Sequence, residues 1–85
     1  MMRKIRQFHQ RENVISLLPI VELVGQKRLL IENHQGVLSY GCNEIKIKVS
    51  YGSVIVAGSA LQLMEMSRVK LAICGRIEGL KILGR

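Results

Sequence analysis

The segment Glu44-Ile45-Lys46-Ile47-Lys48-Val49 alternates charged and β-branched apolar side chains without a break. Successive side chains of a strand point to opposite faces, so the pattern predicts a strand with Ile45, Ile47 and Val49 on a core face and Glu44, Lys46 and Lys48 in water. One face of its sheet is therefore wet. On the C-terminal side, Tyr51-Gly52 reads as a turn into residues 53–57, where Val54-Ile55-Val56-Ala57 is apolar on both faces, as in a central or doubly covered strand.

Gly58 reads as the next turn. It precedes residues 60–66, in which Leu61 and Leu63 alternate with Gln62 and Met64. Residues 69–74 follow, with Val69, Leu71 and Ile73 facing one way. Gly75 then leads into residues 76–83, where the inward pattern slips between Ile77 and Leu80, and Gly79 is placed to form a bulge that absorbs the extra residue.

On the N-terminal side, residues 20–24 and 28–33 flank Gly25-Gln26-Lys27 and read as a hairpin. Asn33-His34-Gln35-Gly36 supplies two residues, Asn33 and Gly36, that accept a positive φ, so a second hairpin turn is expected before a strand at 37–40. Pro19 biases Leu18 to an extended conformation and marks entry to the domain. These segments add up to about eight short strands separated by glycine turns, with Asn33, Gly36, Gly52 and Gly58 as structural turns. The expected fold is all-β: a small β-sandwich at 17–85, with a short β-solenoid as the alternative.

Composition fits a folded domain. Of the 85 residues 48% are hydrophobic, while the only aromatics are Phe8, Tyr40 and Tyr51, so the core falls to Ile, Leu and Val. Thirteen Lys and Arg against six Glu, with no Asp, give a net charge of +7 and favour an anionic partner. Arg3, Lys4, Arg6 and Arg11 stand against Glu12 alone in a basic leader at 1–16 and are the candidate contacts with an anionic surface, such as membrane headgroups. No apolar run reaches the roughly 20 residues that span a bilayer, and the basic start does not lead into a signal-type apolar stretch. A cytoplasmic chain is expected.

The chemistry of sites is thin. Cys42 and Cys74 lie far apart in sequence with no CxxC, which predicts two free, largely buried thiols and neither a redox motif nor a zinc framework. Glu32 and His34 would share a face of an extended strand, but with no Asp and no nucleophile motif a hydrolase lacks parts. No catalytic, cofactor-binding or metal-ligating residue is assigned. A basic leader beside a β domain also suits a small nucleic-acid-binding protein, yet only Tyr40 and Tyr51 could stack bases, which disfavours nucleic acid. Assembly through protein contacts or self-association is favoured, because the two-sided apolar strand at 54–57 offers more apolar face than one thin domain covers.

Taken together, Leu18-Pro19-Ile20 through Gly25, the run Leu30-Ile31-Glu32-Asn33-His34-Gln35-Gly36-Val37-Leu38, Ile45-Lys46-Ile47, and the spaced Gly52, Ile55 and Gly58 resemble the YabP/YqfC family of bacterial sporulation proteins, nearer its YqfC branch. The resemblance implies a role in endospore formation in the mother cell, no known enzymatic activity, and association with spore-envelope or membrane-bound sporulation partners. It carries over no site residues.

Overall fold

The computed structural model describes residues 18–84, which form six strands: β1 (Ile20–Val24), β2 (Arg28–Glu32), β3 (Val37–Tyr40), β4 (Glu44–Val49), β5 (Gly52–Met66) and β6 (Lys70–Gly84). All lie in one open antiparallel sheet with the order β1-β2-β6-β5-β4-β3. The all-β expectation holds, but the strand count falls from about eight to six and there is one sheet rather than two. The solenoid is likewise replaced, since every neighbouring pair is antiparallel.

The count changes because two glycines expected at turns lie inside strands. Gly58 sits within β5 and Gly75 within β6, so the four short segments at 53–57, 60–66, 69–74 and 76–83 merge into two strands of 15 residues each. Both glycines permit a backbone approach instead. A Cβ on Gly58 would lie 1.9 Å from the Arg76 carbonyl oxygen, and one on Gly75, at φ +134°, would lie 2.5 Å from that of Ala60. Around them the β5–β6 ladder shifts register three times, between Ala57 and Gly58, Ser59 and Gln62, and Leu63 and Glu65. In the first shift Glu78 is the extra residue, beside Gly79 where the sequence pattern slips. At the second, Ala60 takes φ 53°. Bulges of this kind bend strands and increase local twist.

The bend organises the rest. The β1–β2 hairpin joins the first part of β6, from Lys70 to Cys74, whereas the β3–β4 hairpin joins the first part of β5, from Gly52 to Ala57. Each hairpin turn then binds back onto the bent pair in the same way: Gly75 and Ile77 donate backbone N–H bonds to Lys27 and Gln26, and Gly58 and Leu61 donate to Asn43 and Cys42. The domain is thus two similar four-stranded halves sharing one hairpin. We refer to the half containing β1 and β2 as the first half and that containing β3 and β4 as the second.

Folding the sheet over this hairpin makes the core. Leu29 and Ile31 of β2, Ile45 and Ile47 of β4, Val54 and Val56 of β5 and Ile73 of β6 are fully buried in one cluster, although β2 and β4 are not neighbours in the sheet. The alternation read from residues 44–49 is confirmed, with Ile45, Ile47 and Val49 inward. Residues 54–57 lie in a central strand as expected, with Ile55 and Ala57 half-buried on the outer face. Gly52 opens β5 after the two-residue turn Ser50-Tyr51, at φ +157° and against the Leu83 carbonyl oxygen, so the turn lies one residue before the expected Tyr51-Gly52 and Gly52 is already paired with Val49.

Close backbone packing at Gly58 is testable against a glycine that has room. Gly58→Ala is expected to cost at least about 2 kcal/mol in urea unfolding, as overpacking of backbone on backbone does. Gly84→Ala, which meets nothing within 4 Å, should stay within about 0.5 kcal/mol of wild type. Equal effects at the two positions would refute the account of the bend.

Candidate functional site

The stretch Asn33–Gly36 was expected to close a hairpin, and it does not. β2 pairs with β1 and β6, β3 pairs with β4 alone, and the two lie in opposite halves, so these residues form a crossover. The special backbone is as expected, with Asn33 at φ 65° and Gly36 at φ 120°. What differs is the partners. Asn33 N–H bonds the Val69 carbonyl at 2.6 Å and its Nδ2 bonds the Leu18 carbonyl at 2.8 Å, while Gln35 N–H reaches the Lys48 carbonyl at 2.7 Å and Gly36 accepts from Lys48 at 2.8 Å. The crossover therefore joins the end of the first half to the end of β4 in the second.

His34 is its anchor. The side chain is buried; Nδ1 accepts the Gly36 N–H at 3.1 Å and Nε2 lies 2.9 Å from the Ser67 carbonyl oxygen. A carbonyl cannot donate, so Nε2 carries the proton and both ring nitrogens are used. Asn33 breaks the strand between Glu32 and His34, so His34 turns inward while Glu32 stays on the outer face in register with Lys70. The pair is not brought together as a catalytic unit.

The other candidates also separate. Cys42 and Cys74 are free, as expected, but not largely buried: Cys42 is exposed in the β3–β4 turn and Cys74 is half-buried on the outer face opposite Arg28. Among the described residues no group of His, Cys or Glu side chains could hold a metal ion. No helix there is long and apolar enough to cross a membrane. Tyr40 is tied to the β5 edge by accepting the Leu63 N–H at 3.2 Å. Arg3, Lys4, Arg6 and Arg11 lie outside the described residues. The basic side chains Lys27, Arg28 and Arg76 instead ring an open groove of about 780 Å³ at the β1–β2 turn, with Cys74 in its lining; Arg76 also faces Glu78 at 3.7 Å, both well exposed.

Sequence reasoning missed the sheet edges, which follow from the bend. β4 covers β5 only as far as Ala57, and β2 covers β6 only as far as Cys74. The β3–β4 turn and Tyr40 occupy backbone groups of β5 at Leu61 and Leu63, and the β1–β2 turn occupies those of β6 at Gly75 and Ile77. Beyond Ile77, β6 has no strand on its outer side among the described residues. Leu80 and Ile82 there are in register with the core residues Val56 and Val54, hence on the inner face, yet they are 40% and 53% exposed. An inner-face apolar pair on an uncovered edge is the strongest candidate for a functional surface.

Residues 19–85 match the sequence model of the YabP family, and the chain belongs to this family. It is 27% identical over 66 residues to the uncharacterized protein YqfC of Bacillus subtilis (strain 168), covering 78% of this chain and 71% of that protein. No solved structure matches the chain. The expected relationship is thus confirmed and ties the chain to a sporulation-associated family.

If His34 is a structural clamp, His34→Ala leaves the Gly36 N–H and the Ser67 carbonyl without their partner. A loss of about 1–3 kcal/mol in unfolding free energy is expected. A change below about 0.5 kcal/mol would show that the crossover does not depend on it.

Proposed function

We propose that this chain is a non-enzymatic sporulation protein that acts in the mother cell by protein assembly, its β6 edge from Glu78 to Gly84 receiving a strand from another polypeptide. The observation that carries the reading is the exposure of Leu80 and Ile82 on the core-facing side of that edge. An added strand would pair backbone groups that have no strand partner among the described residues and continue the inner apolar face at once, the two requirements of strand addition. Alternate side-chain positions would then give the edge its specificity.

Family membership supports the sporulation context. Support for a binding role over catalysis comes from the engagement of His34, the one buried histidine among the described residues, with two backbone groups. A cytoplasmic location, peripheral to a membrane, accords with the basic leader at 1–16. A β domain with a basic leader also suits nucleic acid, but Tyr40, one of its two candidate stacking rings, is held by its hydroxyl at the β5 edge.

In a spore-forming host lacking this gene, the heat-resistant spore count is expected to fall and to recover with the wild-type chain. Leu80→Lys combined with Ile82→Lys should leave the chain folded with a modest loss in melting midpoint, because Leu80 is 40% and Ile82 53% exposed and a lysine stem can keep the apolar cover, yet fail to restore spores. Full restoration by that double variant, or no defect on deletion, would overturn the proposal.

A further inference from the structure

Two edges of the sheet carry the same side-chain alternation with opposite charge at its centre. On β6, Leu80 and Ile82 face inward on either side of Lys81, which is in register with Ile55 on the outer face. On β1, Val21 and Leu23 are in register with the core residues Ile31 and Leu29 and so face inward, on either side of Glu22. Both strands end the sheet there: among the described residues β1 pairs with β2 alone, and β6 beyond Ile77 with β5 alone. Exposed apolar side chains accompany both edges, Ile20, Leu23 and Val24 on β1 and Leu80, Ile82 and Leu83 on β6. Neither Glu22 nor Lys81 makes an ion pair among the described residues.

The backbone groups on these edges fall in the same phase. In an antiparallel ladder the N–H and C=O of one residue point to one side of the strand and those of the next to the other. Asn33 donates to Val69, so Ile31 and Leu29 bond β6, while Glu32, Leu30 and Arg28 bond β1. Their partners Ile20, Glu22 and Val24 bond β2 in return, which turns the backbone groups of Val21 and Leu23 to the open side. On β5, Gly58 donates to Asn43, so Val56 and Val54 bond β4. Leu80 and Ile82, opposite them across the β5–β6 ladder, therefore also point their backbone groups outward. An antiparallel join with Leu80 opposite Leu23 and Ile82 opposite Val21 pairs all of these groups and keeps the inner apolar faces continuous. The same register sets Lys81 opposite Glu22, Leu83 opposite Ile20 and the small Gly79 opposite Val24.

We infer that the strand received by the β6 edge is β1 of a second copy of this chain, joined antiparallel in that register. The inference rests on the edge reading above and names its occupant. Charge selects this join over the two-fold ones. The β6–β6 join that gives both Leu80 and Ile82 an apolar partner sets Lys81 against Lys81, and the β1–β1 join that pairs Val21 with Leu23 sets Glu22 against Glu22. Like charges directly opposite destabilise a strand pair, and unlike charges support it. The remaining edges fit less well: β3 carries no acid and is irregular between Val37 and Ser39, and on β5 Glu65 lies beyond a register shift, with the Leu63 N–H already held by Tyr40. An exposed ion pair adds little affinity. Lys81 and Glu22 accordingly set register and direction, while the backbone bonds and the covered apolar side chains hold the join. Each copy has a β1 edge and a β6 edge to offer, so the joins form a head-to-tail series instead of closing at a two-fold dimer.

Sedimentation velocity of the full chain tests it. At about 0.15 M salt, near physiological ionic strength, the wild type should show a concentration-dependent series beyond the dimer. Leu23→Pro should keep the fold and abolish the series, because the N–H it removes points away from β2 and proline is tolerated on an edge strand. Lys81→Glu and Glu22→Lys should each weaken association about fivefold, and the two together in one chain should restore it. If Leu23→Pro unfolds, the charge variants decide. A wild type that is monomeric at every concentration overturns the second copy as occupant and leaves the edge reading to its spore assay. A series indifferent to Leu23→Pro and to the charge variants also overturns it, as does a combined exchange that associates no better than the single ones.

Discussion

The contact between the backbones of β5 and β6 at Gly58 and Gly75 is the constraint on which the rest of the structure depends. With a side chain at either position the facing carbonyl would be overlapped, and the paired strands could not come this close while shifting register. Without the bend, the inner faces of β2 and β4 would point in one direction from a gently twisted sheet and would both be open to water. With it, one hairpin of two 15-residue strands serves two half-sheets, and 67 described residues enclose a core of branched aliphatic side chains. Small chains bury a modest fraction of their surface. A shared hairpin is an economical way to give such a chain two facing layers.

A bend alone leaves the two halves free to open about the hairpin. The crossover from Asn33 to Gly36 opposes that, because its backbone bonds Val69 at one end and Lys48 at the other. His34 fixes the loop between these bonds by spending one ring nitrogen on the loop itself and the other on Ser67 beside the β5–β6 turn. Buried polar groups are tolerated only when satisfied, so the imidazole specifies this arrangement over looser ones. At the opposite end the two hairpin turns hold β5 and β6 through paired backbone bonds. Closure thus comes from connections, with no further strand pairing between β2 and β3.

Period-two patterning made the local structure legible. Residues 44–49 revealed their faces unaided, the Gly25 turn and its hairpin followed from a break between apolar runs, and the slip at Ile77–Leu80 located a real bulge. What was not legible was which residues pair across long sequence separations. A glycine that turns the chain and a glycine that admits a neighbouring carbonyl look alike in sequence, so Gly58 and Gly75 were read as ends of strands. Asn33 and Gly36 signalled positive φ correctly, but the same dihedrals serve a hairpin or a crossover, and only the pairing of β2 with β6 separates them. The uncovered β6 edge was hidden for the same reason. Leu80 and Ile82 fit an inward strand pattern whether or not another strand lies beside them.

The division of labour along each strand bears on the outer faces. The core draws on alternate positions, such as Leu29 and Ile31 or Ile45 and Ile47, and burial fixes them within narrow limits of volume. The intervening positions are set by solubility and pairing, and a chain that needed only those would mix both signs on both faces. Here both faces do mix signs: Glu22, Glu32 and Glu65 share the outer face of the first half with Arg28 and Lys70, and Lys46, Lys48 and Lys81 share that of the second with Glu44, so the outer positions follow solubility and pairing while the core follows volume.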